Sequence, residues 1–324
     1  MNNQPILAGA DLVKKFRVAS RGKTATLLTA LDGVSLLVGA GETLGIAGES
    51  GCGKSTLARV MAGLMKPEQG SVCYRGVQLS ALSAAEHARF RRSTQMIFQD
   101  PFSSLNPRMR IGDSIAEPLK IAGIPAARQR EEVARIMNTV GLDAGLINRF
   151  PDEFSGGQRQ RIGIARALAA KPEILIADEP VSSLDISIQA QIINLLMQMK
   201  SDFNLSMMII SHNLMVLRHV CDRIIVMYLG SVVEIAPAAA LFNRCMHPYT
   251  EALIAAIPGF TDASNDKKTL LKDDLPSPTS IPSGCRFHPR CRYAVEICRQ
   301  ESPPLTEYAA GHEAACHLSR QLFG

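Results

Sequence analysis

Eight residues constrain this chain more than any other feature: Gly48-Glu49-Ser50-Gly51-Cys52-Gly53-Lys54-Ser55. They match in full the phosphate-loop pattern of Gly, four residues, Gly, Lys, then Ser or Thr. Before them, Leu31 to Val38 and Thr43 to Ala47 read as two strands joined by Gly39-Ala40-Gly41. After them, Leu57, Val60, Met61 and Leu64 recur at helical spacing and stop at Lys66-Pro67. Strand, glycine loop and helix together present backbone N–H groups to an anion at a helix N-terminus. In that setting Gly48, Glu49, Ser50, Gly51, Cys52 and Gly53 cradle phosphate, Lys54 brings a point charge, and Ser55, with Thr56 beside it, ligates magnesium.

The rest of the pattern extends the same architecture. Ile174 to Ala177, Met207 to Ile210 and Arg223 to Val226 are short apolar runs, and Ile188 to Met199 between them is an amphipathic helix. Buried strands alternating with helices predict a parallel sheet covered on both faces. The segment from about Pro101 to Leu168 reads as mainly helical, with Arg128 to Val140 and Gln158 to Leu168 as its best helices. Past Ala236 the pattern fades, and Asp262 to Pro282 is polar and punctuated by proline, as a linker or loosely packed extension would be. The 324 residues are 46% hydrophobic and 20% charged, which excludes wholesale disorder, collagen and coiled-coil classes. Nothing approaches the roughly 18 consecutive apolar residues of a membrane helix, and Met1 to Pro5 lacks the layout of a secretory signal, so a cytosolic protein is expected. The net charge of +5 is too mild to decide a partner.

Two further motifs lie downstream. Asp178-Glu179 leaves the run Ile174 to Ala177, where a carboxylate at the sheet's C-terminal edge faces the phosphate loop. Asp178 is the candidate magnesium ligand, and Glu179 the candidate general base for the attacking water. Upstream, Phe154-Ser155-Gly156-Gly157-Gln158-Arg159-Gln160-Arg161 opens a helix, so Ser155, Gly156, Gly157 and Gln158 form a second helix start suited to an anion. Alone it would be an ordinary helix cap.

In this order the motifs resemble those of the ABC ATPases, whose signature is Leu-Ser-Gly-Gly-Gln; Phe154 stands here for the Leu. The resemblance implies an ABC-type P-loop NTPase of the α/β class, with a RecA-like core and antiparallel β and helical subdomains. It also implies roles. Gln99 resembles the Q-loop glutamine that senses γ-phosphate and magnesium, Ser183-Leu184-Asp185 the D-loop, and His212, 33 residues beyond Glu179, the switch histidine. Phe16 is the candidate for the aromatic that stacks on adenine, where the family more often has Tyr. Two cassettes in this family close head to tail, each phosphate loop facing the partner's signature across ATP.

A closer resemblance covers about Leu12 to Cys316. Phe98 to Arg108, Phe154 to Arg161, Pro180 to Asp185 and His247-Pro248-Tyr249-Thr250 are similar to ATPase subunits of bacterial dipeptide and oligopeptide importers, and Glu49 to Ser55 to the second of their two non-identical ATPase subunits. Nickel and metallophore importers share much of this pattern. The implied function is ATP-driven peptide import, with this chain peripheral on the cytoplasmic face of the inner membrane. The implied partners are two transmembrane permease subunits, a second ATPase subunit and, indirectly, a substrate-binding protein. Permease helices would dock near Gln99 to Lys120, where Arg89, Arg91, Arg92, Arg108 and Arg110 could help, although scattered arginines usually form a solvated face. A soluble ABC ATPase acting on nucleic acid is the rival, but the chain has neither a coiled-coil insertion, nor a second cassette, nor a basic block.

The expected division is an ATPase domain over 1–257, with its helical subdomain at about 100–168, and a Cys-rich extension over 258–324. There Cys285-x5-Cys291-x6-Cys298-x17-Cys316 lacks the short zinc knuckles, and four thiolates suit either zinc or a [4Fe-4S] cluster. Some peptide-importer ATPases carry such a cluster on similar cysteines, which makes the cluster the expectation, with zinc and unligated cysteines as alternatives. His288, His312 and His317 could substitute as ligands, solvated loop histidines being the plainer reading.

Overall fold

The structure is a computed structural model that describes residues 4–20, 23–100, 102, 104–259 and 276–324. Pro101, Ser103 and residues 262–275 of the expected linker lie outside the described residues.

The chain opens with two long strands, β1 (Leu7–Ser20) and β2 (Lys23–Val38), then β3 (Thr43–Ala47), α1 (Lys54–Met61), β4 (Gln69–Tyr74) and β5 (Val77–Gln78). Helix α2 (Ala84–Ser93) leads directly into β6 (Thr94–Ile97), and α3 (Ile111–Ile121), α4 (Ala126–Thr139) and α5 (Gly156–Ala169) follow. Strands and helices then alternate through β7 (Ile174–Asp178), α6 (Ile186–Phe203), β8 (Ser206–Ile210), α7 (Leu214–Val220), β9 (Arg223–Tyr228), β10 (Ser231–Pro237), α8 (Ala238–Asn243) and α9 (Pro248–Ala255). The last segment adds α10 (Glu296–Gln300), β11 (Thr306–Ala309), β12 (His312–Ala314) and α11 (Ser319–Phe323).

These elements build two sheets, one of four strands in the order β2-β1-β4-β5 and one of eight in the order β11-β12-β10-β9-β3-β8-β7-β6. The run β9-β3-β8-β7-β6 is parallel throughout, as buried apolar strands joined by helices require. Strands β3, β7 and β8 are buried at every residue. The strand preceding the 39–41 turn runs much further upstream than Leu31, and it joins the antiparallel sheet with β1 instead of pairing with β3. Helix α1 ends at Met61, three residues before the expected Leu64, because Gly63 turns the chain at φ +69°, where a Cβ would meet the Phe90 ring at 2.8 Å.

The C-terminal segment differs most from its sequence-based description. Instead of a loose extension it contributes β11 and β12 to the main sheet, with Ala314 paired to Glu234 of β10. His312 is no solvated histidine: its Nε2 lies 2.8 Å from Glu234 Oε1, and both residues are buried. Phe287 adds apolar anchorage, stacking edge-on against Tyr228 with ring centroids 5.3 Å apart, in a cluster with Tyr249 and His247.

Candidate functional site

Four strand ends of the parallel sheet converge on one edge, the place where open α/β sheets bind ligands. Strand β3 runs into the glycine loop, β6 toward Gln99, β7 into Glu179 and β8 toward His212. The ends are tied together: Ser211 N–H donates to the Ile46 carbonyl at 3.1 Å, and Glu179 N–H to the Ile210 carbonyl at 3.0 Å.

The loop's glycines are needed for space as well as conformation. Gly48 sits at φ +146° and Gly53 at φ +106°, where a Cβ would lie 2.4 Å from the Met227 carbonyl oxygen and 2.2 Å from that of Ala30. Lys54 is 4% exposed and its Nζ donates to the carbonyls of Gly48 at 2.7 Å and Glu49 at 2.8 Å, which fixes the ammonium inside the loop. Ser55 Oγ donates to Asp178 Oδ1 at 3.0 Å. Burial pushes the Asp178 carboxyl above its usual range, the Ser55 bond opposes this, and the neighbouring Glu179 charge adds to it. Two oxygen donors, one a buried carboxylate lacking a full counter-charge, suit a hard divalent cation.

Glu179 Oε2 is the hub of the other side. It accepts from Gln99 Nε2 at 3.0 Å and lies 3.3 Å from His212 Nδ1. Its backbone is left-handed at φ +46°, a strained conformation for a non-glycine residue that turns the carboxylate out of line with β7. One cleft is lined by Phe16, Ser50, Gly51, Gly53 to Thr56, Gln99 and Glu179, so the phosphate loop, the carboxylate hub and the aromatic share a cavity.

The signature stands apart from that cleft and does not line it. Ser155 caps α5 through a reciprocal box, Gln158 N–H donating to Ser155 Oγ at 3.4 Å and Ser155 N–H to Gln158 Oε1 at 3.0 Å. Gly157 packs so closely on α6 that a Cβ would meet Ile188 Cγ2 at 2.6 Å. Ser183, Leu184 and Asp185 form the turn into α6, with Leu184 N–H donating to the Val181 carbonyl and Asp185 at the N-cap.

The ABC transporter family model matches residues 31–182, and the oligopeptide/dipeptide transporter C-terminal region model matches 233–298. The oligopeptide transport ATP-binding protein AppF of Bacillus subtilis is 46% identical over 323 residues, 98% of this chain and 98% of its own. This chain belongs to the ATP-binding subunits of the oligopeptide/dipeptide ABC transporters. The di/tripeptide transport ATP-binding protein DppF of Pseudomonas aeruginosa is 44% identical over 324 residues, 99% of this chain and 100% of that one. Among solved structures, a dimeric ATP-binding cassette in a post-hydrolysis state with ADP and phosphate matches with TM-score 0.64 at 27% identity, over 72% of this chain and 98% of that one. As an ABC ATPase this subunit hydrolyses ATP, and its fold is that of the family's cassettes.

The ATPase subunit's tail does not present ready-made ligand geometry: among the described residues, no three His, Cys, Asp or Glu side chains are placed to hold a metal ion. The expectation of a metal-bound tail is to that extent unsupported. The four tail cysteines nevertheless line one small pocket, with His288 and His317 at its wall. Sequence reasoning missed three residues that brace the phosphate loop. Tyr249 Oη accepts from Glu49 N–H at 2.9 Å, and Arg290, beside Tyr228, donates to the Glu49 carboxylate. Tyr249 stood in a quoted motif; the other two carry no local signal.

Proposed function

We propose that this ATPase subunit drives the import of di- or oligopeptides, coupled to two membrane permeases and working with a second cassette, peripheral to the cytoplasmic face of the inner membrane. The observation that carries the reading is the near full-length similarity to peptide-transport ATP-binding proteins, 98% of this chain in one case. Among the described residues no helix is long and apolar enough to cross a membrane, so transport requires partner chains. A groove between α3 and α4, lined by Arg110, Asp113, Lys120, Gln129 and Ile147, offers a permease helix a place to dock, with Ile121 at 83% exposure beside it. Arg89, Arg91, Arg92 and Arg108 are exposed nearby in sequence and read as a solvated face. The division into an ATPase unit over 1–257, with a helical subdomain near 100–168, and an extension over 258–324 is retained as a division of sequence.

In the mechanism we propose, Lys54 and the loop's N–H groups bind the triphosphate and Phe16 meets the adenine. Ser55, Asp178 and Gln99 would hold magnesium, which would neutralise phosphate charge. Glu179 accepts a proton from the attacking water, oriented by Gln99 and His212. Ser155 to Gln158 serve the partner cassette's ATP, which is why a single chain leaves its own cleft without a signature.

For the tail we propose a [4Fe-4S] cluster on Cys285, Cys291, Cys298 and Cys316. What supports it is their shared pocket and the backbone N–H groups around it, while burial opposes the charged thiolate. Burial pushes the thiols up, Cys285 to about 11 and Cys291 to about 12, and neighbouring sulfurs push the same way. Backbone N–H groups of Phe287, Tyr293 and Leu318 favour the thiolate. A cluster bound there would supply the positive charge that four thiolates need. Purification from membranes under anaerobic conditions tests both proposals together. Two permeases and a second ATPase should co-purify, and the complex should be brown with about four iron and four sulfide per tail of this kind. A colourless protein without membrane partners would overturn both.

A further inference from the structure

The phosphate loop contains a carboxylate, Glu49, at a position whose neighbours exist to attract phosphate. A negative charge there opposes a triphosphate unless something cancels it. Arg290, from the tail 241 residues away, does so: its Nη1 lies 3.1 and 3.0 Å from the two Glu49 oxygens, and the side chain is 5% exposed. Its other contacts among the described residues are weak for a buried cation, the Tyr228 hydroxyl at 3.4 Å and the Tyr228 ring with its centroid 5.9 Å away, while Nε has no partner among them. Glu49 is therefore the guanidinium's principal reason for being there. The same residue's carbonyl accepts from Lys54 Nζ, so the pair also orients the peptide that holds the phosphate-binding ammonium.

A second contact repeats the arrangement. Arg286 bonds the Leu229 carbonyl and the Asp32 carboxylate, and Asp32 stands two residues after Ala30, which lines the nucleotide cleft. Each arginine neighbours a tail cysteine in sequence, Arg286 next to Cys285 and Arg290 next to Cys291.

We infer that Arg290 is a positioning residue for ATP binding: the tail places its guanidinium on Glu49, cancelling a carboxylate that would otherwise repel the triphosphate and holding the loop that carries Lys54. This rests on the reading of the cleft as an ATP site. A purely structural bridge would hold the tail down without affecting nucleotide affinity, and the two roles separate on a double substitution.

The experiment titrates full-length protein with a fluorescent ATP analogue and Mg²⁺, well below the unfolding temperature. Wild-type binding is the control that tells failure of the ATP reading from failure of this inference. Arg290→Ala should raise the Kd about tenfold by leaving an uncancelled charge in the loop. Glu49→Gln alone should lower the Kd, because it leaves the guanidinium's charge uncancelled beside the triphosphate, and the double variant should return to within about threefold of wild type, because the second change removes what the first exposed. Arg290→Lys should rescue partly, a point charge replacing a fork. If Arg290→Ala does not fold, Arg290→Gln with and without Glu49→Gln makes the same comparison. A wild-type Kd in the folded single variant, or a double variant as weak as the single, overturns the inference.

Discussion

Glu179→Gln leaves ATP binding intact and slows hydrolysis by about 10² to 10⁴, measured as single-turnover phosphate release from the assembled transporter. The size follows from what the substitution removes. Gln99 and His212 both meet the same Glu179 oxygen, so the carboxylate is held by its neighbours and an amide can take its place with little disturbance. On the proposed mechanism only proton acceptance is lost, equivalent to about 3 to 5 kcal/mol of barrier. Lys54→Ala separates the roles, since that ammonium lies inside the loop and its loss should appear in affinity. Hydrolysis at the wild-type rate in Glu179→Gln would remove Glu179 as the base.

Ser155→Arg, placed in the Glu179→Gln background, abolishes ATP-driven association of cassettes, followed by light scattering with and without ATP and Mg²⁺. The hydroxyl's cap on α5 contributes about 1 kcal/mol, so the helix survives its loss while the face proposed to meet the partner's phosphates becomes bulky and charged. ATP favours the closed pair only by as much as it binds that state better, and in the proposed mechanism the signature is where the difference is made. Association unchanged in this variant would mean that Ser155 to Gln158 do not meet the partner's nucleotide.

Much of the site could be read from the chain because its parts are local. The glycine loop, Asp178-Glu179 and the 155–158 segment each occupy a few consecutive residues at the end of one element, and β3, β7 and β8 are buried on both faces and so appear as uninterrupted apolar runs. Less of the outer architecture could be read. Strands β1 and β2 pair with several register shifts, which breaks the alternation that marks a strand. Strand β6 is four residues long, and β11 is mostly exposed, so neither offers a pattern. Strand β12 earns its place through Glu234, 78 residues before its partner His312. That buried pair and Phe287 anchor the chain beyond Pro282, and no nearest-neighbour rule reports either contact. The Arg290–Glu49 bridge belongs to the same class, since the charge that neutralises the loop comes from the other end of the chain.

Transport itself tests the account most directly. The two permeases, this subunit and its companion ATPase would be reconstituted in proteoliposomes with the binding protein and a labelled oligopeptide, with ATP on the side of the cassettes. The account predicts ATP-dependent accumulation of peptide accompanied by faster phosphate release, both lost with Glu179→Gln in this subunit. Peptide accumulation without ATP, or hydrolysis that no peptide stimulates and no peptide movement accompanies, would contradict it.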